Sequence, residues 1–261
     1  MVVKTIDQIE LIKKSSLLVG ETLAEVAKIL KPGIKTIEMD RLAEVYIRDH
    51  HAKPAFKGYG GFPGTLCISI NDEVVHGIPG SREIKDGDLV SVDCGTLLDG
   101  WYGDYAYSFA VGDSSEEIIQ LLNITKESVY LGAKNAKSSL RIGDIGFAIQ
   151  NHVESYGYSV VRDLVGHGIG KNLHEKPEVF NYGKKGNGKK LMENLVLCIE
   201  PMINLGKKEV YQEKDGWTIK TIDGKPSAHF EHMVIVRPEG GEIISTYAFI
   251  EQSIKQNINI R

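Results

Sequence analysis

The sequence predicts an α+β domain in which helices cover one face of a curved, mostly antiparallel sheet. Three observations carry that expectation. Each half of the chain opens on two amphipathic helix patterns followed by strand-like runs. Asp99-Gly100, set between apolar-alternating segments, is a strong two-residue hairpin signal. The order of two helices, a His-Gly-Ile element and a strand ending on a carboxylate occurs twice, with Gly33 matching Gly143, His76 matching His167 and Asp93 matching Glu200. The offsets of 110, 91 and 107 differ, so any duplication is old and carries insertions. One domain over 1–261 is expected, with pseudo-symmetric halves at about 1–110 and 111–250. An approximate two-fold axis between them would bring their carboxylates to the middle of one sheet.

Element by element, Thr5 to about Lys31 carries Ile9, Ile12, Leu17, Leu23, Val26 and Ile29 at helical spacing and stops at Pro32-Gly33. A second helix, Ile37 to about Asp49, leads into the Gly-rich stretch Gly58 to Gly64 and a strand at Leu66 to Ile70. The tetrapeptide His76-Gly77-Ile78-Pro79 and a strand at Leu89 to Cys94 follow. Glu116 to Lys137 and Asp144 to Tyr156 predict two more helices with the break at Gly143, and then come His167-Gly168-Ile169-Gly170 and a strand, Leu195 to Ile199.

A chain of 261 residues, 42% hydrophobic and without a Pro/Ser-rich linker, can bury one sizeable core. Its net charge of −4, with both signs interspersed, argues against general nucleic-acid binding and against a membrane surface. Lys184, Lys185, Lys189 and Lys190 lie in a Gly-rich loop and predict a solvated turn. Cys67, Cys94 and Cys198 have neither metal-type spacing nor even pairing, which suggests a reducing compartment and makes the cytoplasm the expectation. Ile6, Ile9 and Ile12 alternate with Asp7, Glu10 and Lys13, the pattern of an amphipathic helix and not of a signal peptide. No apolar run approaches the roughly 20 residues of a membrane span.

The chemistry lies in residues of unusual setting. If the hairpin turn holds, 98 pairs with 101, Asp93 faces Ala106 and residue 95 faces Asp104. Both aspartates then project from one face as diagonal neighbours, roughly 7–8 Å apart at the backbone. Asp93 ends the apolar run Leu89-Val90-Ser91-Val92, where an unpaired carboxylate would be costly. Glu200 follows Leu195 to Ile199, and Glu231 sits between Phe230 and the run ending at Val236. Strand carboxylates beside apolar runs, with His167 in a Gly-flanked turn, require a shared positive partner. Asp93, Asp104, His167, Glu200 and Glu231 are therefore a candidate ligand set for two divalent ions side by side, and point to a metal-activated hydrolase. Such a donor set accepts Co, Mn, Fe or Zn alike.

The motifs VHGIPG at Val75, LVSVDCGTLLDGWYGD ending at Asp104, GHGIG at Gly166, CIEPM at Cys198, DGWT at Asp215 and FEHMV at Phe230 closely resemble those of the type I methionine aminopeptidases. The resemblance runs from the first helix to about Ala248 and implies the pita-bread fold, two pseudo-symmetric halves around a metal pair. It implies that Asp93 binds one ion, that His167 and Glu200 bind the other, and that Asp104 and Glu231 bridge them. His76 and His174 match the family's catalytic histidines outside the metal shell. By the same resemblance Glu200 shuttles the proton of the attacking water, His174 binds the developing oxyanion and His76 contacts the scissile nitrogen. The substrate's free amino terminus would complete the coordination of the ion on Asp93. Tyr59, Phe62, Cys67 and Trp217 would surround the methionine side chain. The implied activity is removal of the initiator methionine from nascent polypeptides at the ribosome when the second residue is small, by a cytoplasmic monomer. The lack of a long insertion between Glu200 and Glu231 argues against the type II subfamily. A chain that starts at Met1 with the first catalytic helix suggests the bacterial form.

Val75, Phe62, Leu173 and His229 depart from the family's usual residues without removing a ligand, and they leave the pocket's shape open. His229 is expected to be a sheet-edge residue, with a polar contact near Glu231 as the alternative. Proline-specific aminopeptidases share the fold and metal set but usually carry an extra N-terminal domain. A creatinase-like amidinohydrolase would not need the intact metal set. Non-catalytic relatives have lost ligands that are all present here.

Overall fold

Helix α1 (Ile6–Ile29) begins at a capping box, in which Thr5 Oγ1 accepts from Gln8 N–H while the Gln8 side chain accepts from Thr5 N–H. The computed structural model describes residues 1–261. Ile9, Ile12, Val19, Leu23 and Val26 of α1 are fully buried, but Leu17 is exposed and its neighbour Leu18 takes the inward position. The stripe advances by three or four residues, and 17 falls off it. Helix α2 (Thr36–Asp49) follows the turn at Gly33, whose φ of 88° suits glycine.

Helix α3 (Glu116–Lys134) is shorter than expected and helix α4 (Ile142–Ser155) starts earlier, so the break between them falls at residues 135–141. Gly143 is therefore not the break but part of the first turn of α4. A Cβ there would stand 2.6 Å from Lys184 O and 2.7 Å from Asn187 O, so glycine is required by backbone approach. The matched glycines of the two halves thus have different jobs. A fifth helix, α5 (Ala248–Gln256), which the sequence pattern did not announce, packs on α1.

Every strand pairing is antiparallel. Leu89–Leu98 and Trp101–Ala110 form the long central hairpin, four residues beyond the expected strand end. Its turn has φ 51° at Asp99 and 75° at Gly100, the left-handed pair that a tight two-residue hairpin needs. Leu98 pairs with Trp101, Asp93 with Ala106 and Gly95 with Asp104, the anticipated register. Leu66–Ile70 pairs on the other side, setting Cys67 opposite Asp93. A second sheet runs in the order Glu242–Ile243, His232–Ile235, Val196–Ile199, Gly166–Gly168, Glu175–Val179.

Helix α1 lies on one face of the hairpin, so close that a Cβ on Gly103 would stand 2.6 Å from the backbone of Ser15 and Ser16. Strand residues alternate between faces, so Asp104 projects away from the helix that Gly103 contacts. Helices α3 and α4 pack together, and α3 contacts Trp101–Ala110, Val196–Ile199 and His232–Ile235. Helices thus cover one side, and the carboxylates gather on the other.

Candidate metal centre

The two sheets meet where the acidic residues stand. Glu231 lies between the strands Ser227–His229 and His232–Ile235, and its N–H donates to Ala106 O at 3.1 Å, tying it to the hairpin two residues from Asp104. The Tyr247 hydroxyl reinforces the joint by donating to Glu231 O at 2.7 Å, with Ala106 O at 3.1 Å. Glu200 follows directly on Val196–Ile199, and its carbonyl accepts from Asn181 Nδ2 at 3.0 Å. His167 occupies the middle of Gly166–Gly168, flanked by glycines that allow neighbouring backbone to approach; a Cβ on Gly166 would stand 2.3 Å from Cys198 O and one on Gly168 2.9 Å from Lys176 O.

His167 Nδ1 is 3.0 Å from Gly168 O, and a carbonyl only accepts, so Nδ1 carries the proton of the neutral ring. Nε2 then presents a lone pair, 3.5 Å from Glu200 Oε1 and 3.7 Å from Asp104 Oδ2. Burial, with His174 second, lowers the pKa of His167 to about 3, so protonation does not relieve this crowding of acceptors near neutrality. Asp93 Oδ1, Asp104 Oδ1 and Glu231 Oε1 are buried and accept no hydrogen bond. Burial raises all four carboxyl groups above the ordinary range. The charge of Asp93 adds to this for Asp104 and Glu200, as the charge of Asp104 does for Glu231. Three buried carboxyl oxygens that accept no hydrogen bond, beside the His167 lone pair, fit divalent cations, whose charge would displace the protons that burial favours on those carboxyl groups. Ligand atoms of Asp104, His167 and Glu231, together with Cys198 Sγ, lie within 4.8 Å of one another; Glu200 Oε1 is 3.5 Å from His167 Nε2, and Asp93 lines the same cavity.

These five residues line a cavity of about 400 Å³ that is also lined by His76, His174, Tyr59, Phe62, Cys67 and Trp217. All eleven residues singled out from the sequence thus border one space. His76 follows the strand Glu73–Val75 with φ 60°, and Gly77 behind it would place a Cβ 2.1 Å from Ile68 O. That close packing turns the His76 ring into the cavity, where burial, with His174 second, lowers its pKa to about 4. His174 stands edge-on to His167 with ring centroids 4.4 Å apart, and its Nδ1 is 2.8 Å from the Tyr59 hydroxyl. Trp217 is set by Asp215, whose Oδ1 accepts from the N–H groups of Trp217 and Thr218 at 2.8 and 2.9 Å. Its ring meets Phe62 edge-on at 5.2 Å and His76 at 6.5 Å.

Val75, Phe62 and Leu173, which depart from the usual family residues, all line the cavity, while His229 does not. His229 lies on a strand at the edge of its sheet, yet it is fully buried and its Nε2 finds no partner. Cys198 was passed over because cysteine spacing alone gave no metal signal. The available signal was parity, since 198 lies two residues before Glu200 at the end of one strand.

Residues 10–238 match Metallopeptidase family M24. The methionine aminopeptidase of Clostridium perfringens is 50% identical over 245 residues, 94% of this chain and 98% of that protein. Among solved structures, methionine aminopeptidase from Rickettsia prowazekii superposes with a TM-score of 0.93 at 39% identity, covering 94% of this chain and 100% of that one. Xaa-Pro dipeptidase from Bacillus anthracis gives 0.77 at 22% identity over 94% of this chain and 62% of its own, a likeness of fold alone.

Proposed function

Because this chain belongs to metallopeptidase family M24 and, within it, to the methionine aminopeptidases, we propose that it removes the initiator methionine from nascent polypeptides whose second residue is small. The observation that carries this reading is the convergence of four carboxylates and the His167 lone pair beneath a pocket walled by aromatic rings and a thiol. Asp93, Asp104, His167, Glu200 and Glu231 would hold the divalent ions, with Asp93 on one side of the site and His167 and Glu200 on the other. When bound, the ions supply Lewis acidity, acidifying water and polarising the scissile carbonyl.

Glu200 takes the proton of the attacking water and passes it to the departing amine. The Tyr59 hydroxyl, donating to His174 Nδ1, supports the tautomer with Nε2–H free, and that N–H donates to the carbonyl oxygen as it gains negative charge. His76, kept neutral by burial, contacts the scissile nitrogen. Tyr59, Phe62, Trp217 and Cys67 enclose the methionine side chain, where sulfur–aromatic contacts add roughly 0.3–1.5 kcal/mol to apolar burial.

The enzyme acts as a cytoplasmic monomer on chains emerging from the ribosome, with residues 1–261 as one catalytic domain. Three buried, unpaired cysteines suit a reducing compartment, and no helix is long and apolar enough to cross a membrane. The metal-loaded enzyme should cleave peptides beginning Met-Ala, Met-Gly or Met-Ser and leave Met-Lys, Met-Phe and Xaa-Pro peptides nearly untouched. Equal rates on Leu-Ala-Ser and Met-Ala-Ser, or on Met-Phe and Met-Ala, would overturn the initiator-methionine reading and leave a metal aminopeptidase of other specificity.

A further inference from the structure

The most deeply buried lysine–carboxylate pair in the molecule joins residues 171 positions apart. Lys4 Nζ is 2.5 Å from Glu175 Oε2, with side chains 2% and 8% exposed. Lys4 directly precedes the Thr5 cap of α1, and its segment is pinned by Lys4 N–H donating to Asn194 O at 3.0 Å and Nζ donating to Val2 O at 3.2 Å. Glu175 directly follows His174, and its Oε1 accepts from Lys171 N–H at 2.9 Å and Asn172 N–H at 3.3 Å. One carboxylate therefore folds the 171–175 turn around itself with one oxygen and ties it to the N-terminal segment with the other. Gly170 makes room for the ammonium, since a Cβ there would stand 2.4 Å from Lys4 Cε and 2.6 Å from Nζ.

Burying two charges is costly, and removing one partner is worse still, so such a pair resists separation and holds the segments it joins in one geometry. The geometry specified here is that of His174. Its residue lies in the loop between Gly166–Gly168 and Glu175–Val179 and is exposed, and its polar contact is Tyr59, itself an exposed side chain. We propose that the Lys4–Glu175 ion pair is a positioning device for His174, a clamp from the lead-in of α1 that holds the imidazole against His167 and Tyr59. It rests on the reading of His174 as the oxyanion donor. Small displacements of such a group lower turnover steeply without weakening substrate or metal binding.

The test is steady-state cleavage of Met-Ala-Ser by metal-loaded Lys4→Met, Lys4→Arg and Glu175→Gln enzymes, with bound metal measured in each. Glu175→Gln retains an oxygen for the two loop N–H groups, so it severs the tether alone and stands in should Lys4→Met fail to fold. Both severed variants should lose kcat by about fivefold or more with KM and metal content within about twofold, and Lys4→Arg should regain most of it. On a His174→Ala background, severing the tether should change kcat less than about twofold, because the positioned group is gone. Unchanged kcat in the severed variants, or the same fractional loss on both backgrounds, would overturn the clamp and leave the role of His174 standing. Full turnover in His174→Ala itself would instead remove the oxyanion reading and the clamp together.

Discussion

His174 illustrates how one ring can be divided between support and chemistry. Its Nδ1 faces the Tyr59 hydroxyl at 2.8 Å, and in the proposed mechanism Nε2 meets the substrate oxygen. Replacing His174 by Ala should lower kcat by roughly 10²-fold or more, the scale of a lost oxyanion donor, with bound metal unchanged. Tyr59→Phe should cost roughly two- to tenfold, the worth of one ordinary hydrogen bond. Metal analysis beside the rates decides the assignment, since parallel loss of metal and activity would make His174 a ligand. The sequence marked His76 by the repeated His-Gly-Ile element but offered His174 only through family resemblance, because an isolated histidine in a loop carries no local signal. By contrast, Asp93 and Asp104 could be set on a common face by counting residues from Asp99-Gly100, and the observed register agrees.

Helix α2 contributes to the pocket without touching it. Asp40 is buried, and its Oδ1 accepts from Thr65 and Leu66 N–H at 2.7 and 2.8 Å, fixing the start of the strand that carries Cys67. Asp40→Ala would leave two buried donors unpaired and should destabilise the fold by about 2–4 kcal/mol, read as a lower urea midpoint with unchanged slope. A midpoint within error of the parent would show that solvent reaches those amides. Periodicity identified the first four helices and the strands that bear carboxylates. It misplaced their ends where a distant backbone decided the matter, as at Gly143, and it missed α5, whose nine residues are too few for a repeating pattern.

Metal and proton equilibria belong to the whole molecule, because the donors come from both sheets. Prolonged chelation should abolish activity, Co(II) or Mn(II) should restore it, and Asp104→Ala or Glu231→Ala should weaken retention of both ions together, as measured by metal content after dialysis. Full activity of metal-free protein would end the mechanism.

Acid sensitivity has a separate source in His232, which is fully buried, bonded to Ser245 Oγ at 2.6 Å and stacked on Tyr247 with centroids 3.9 Å apart. Burial, with Lys126 second, lowers its pKa from 6.5 to about 3. Between those values the unfolded chain binds a proton that the folded ring refuses. Its contribution to stability is therefore complete above pH 6.5 and is lost as the pH falls toward 3. His232→Gln should shrink the loss of folding free energy between about pH 7 and pH 5 by roughly 2 kcal/mol. Urea titrations at equal metal loading would measure this, and an unchanged loss would place the acid sensitivity elsewhere.

The sequence by itself determined the helix and strand order, the antiparallel hairpin with its shared carboxylate face, and a set of acidic residues in apolar settings. Those properties follow from local periodicity, turn chemistry and the cost of an unpaired buried charge, all readable over a few residues. The tertiary structure alone decided how near Cys198 Sγ comes to the candidate ligand atoms of Asp104, His167 and Glu231, that Tyr247 joins Glu231 to the hairpin, and that Lys4 reaches Glu175. Such contacts span up to 171 residues of chain. They depend on how four sheets and five helices come together in space, and no local pattern encodes which side chains then meet.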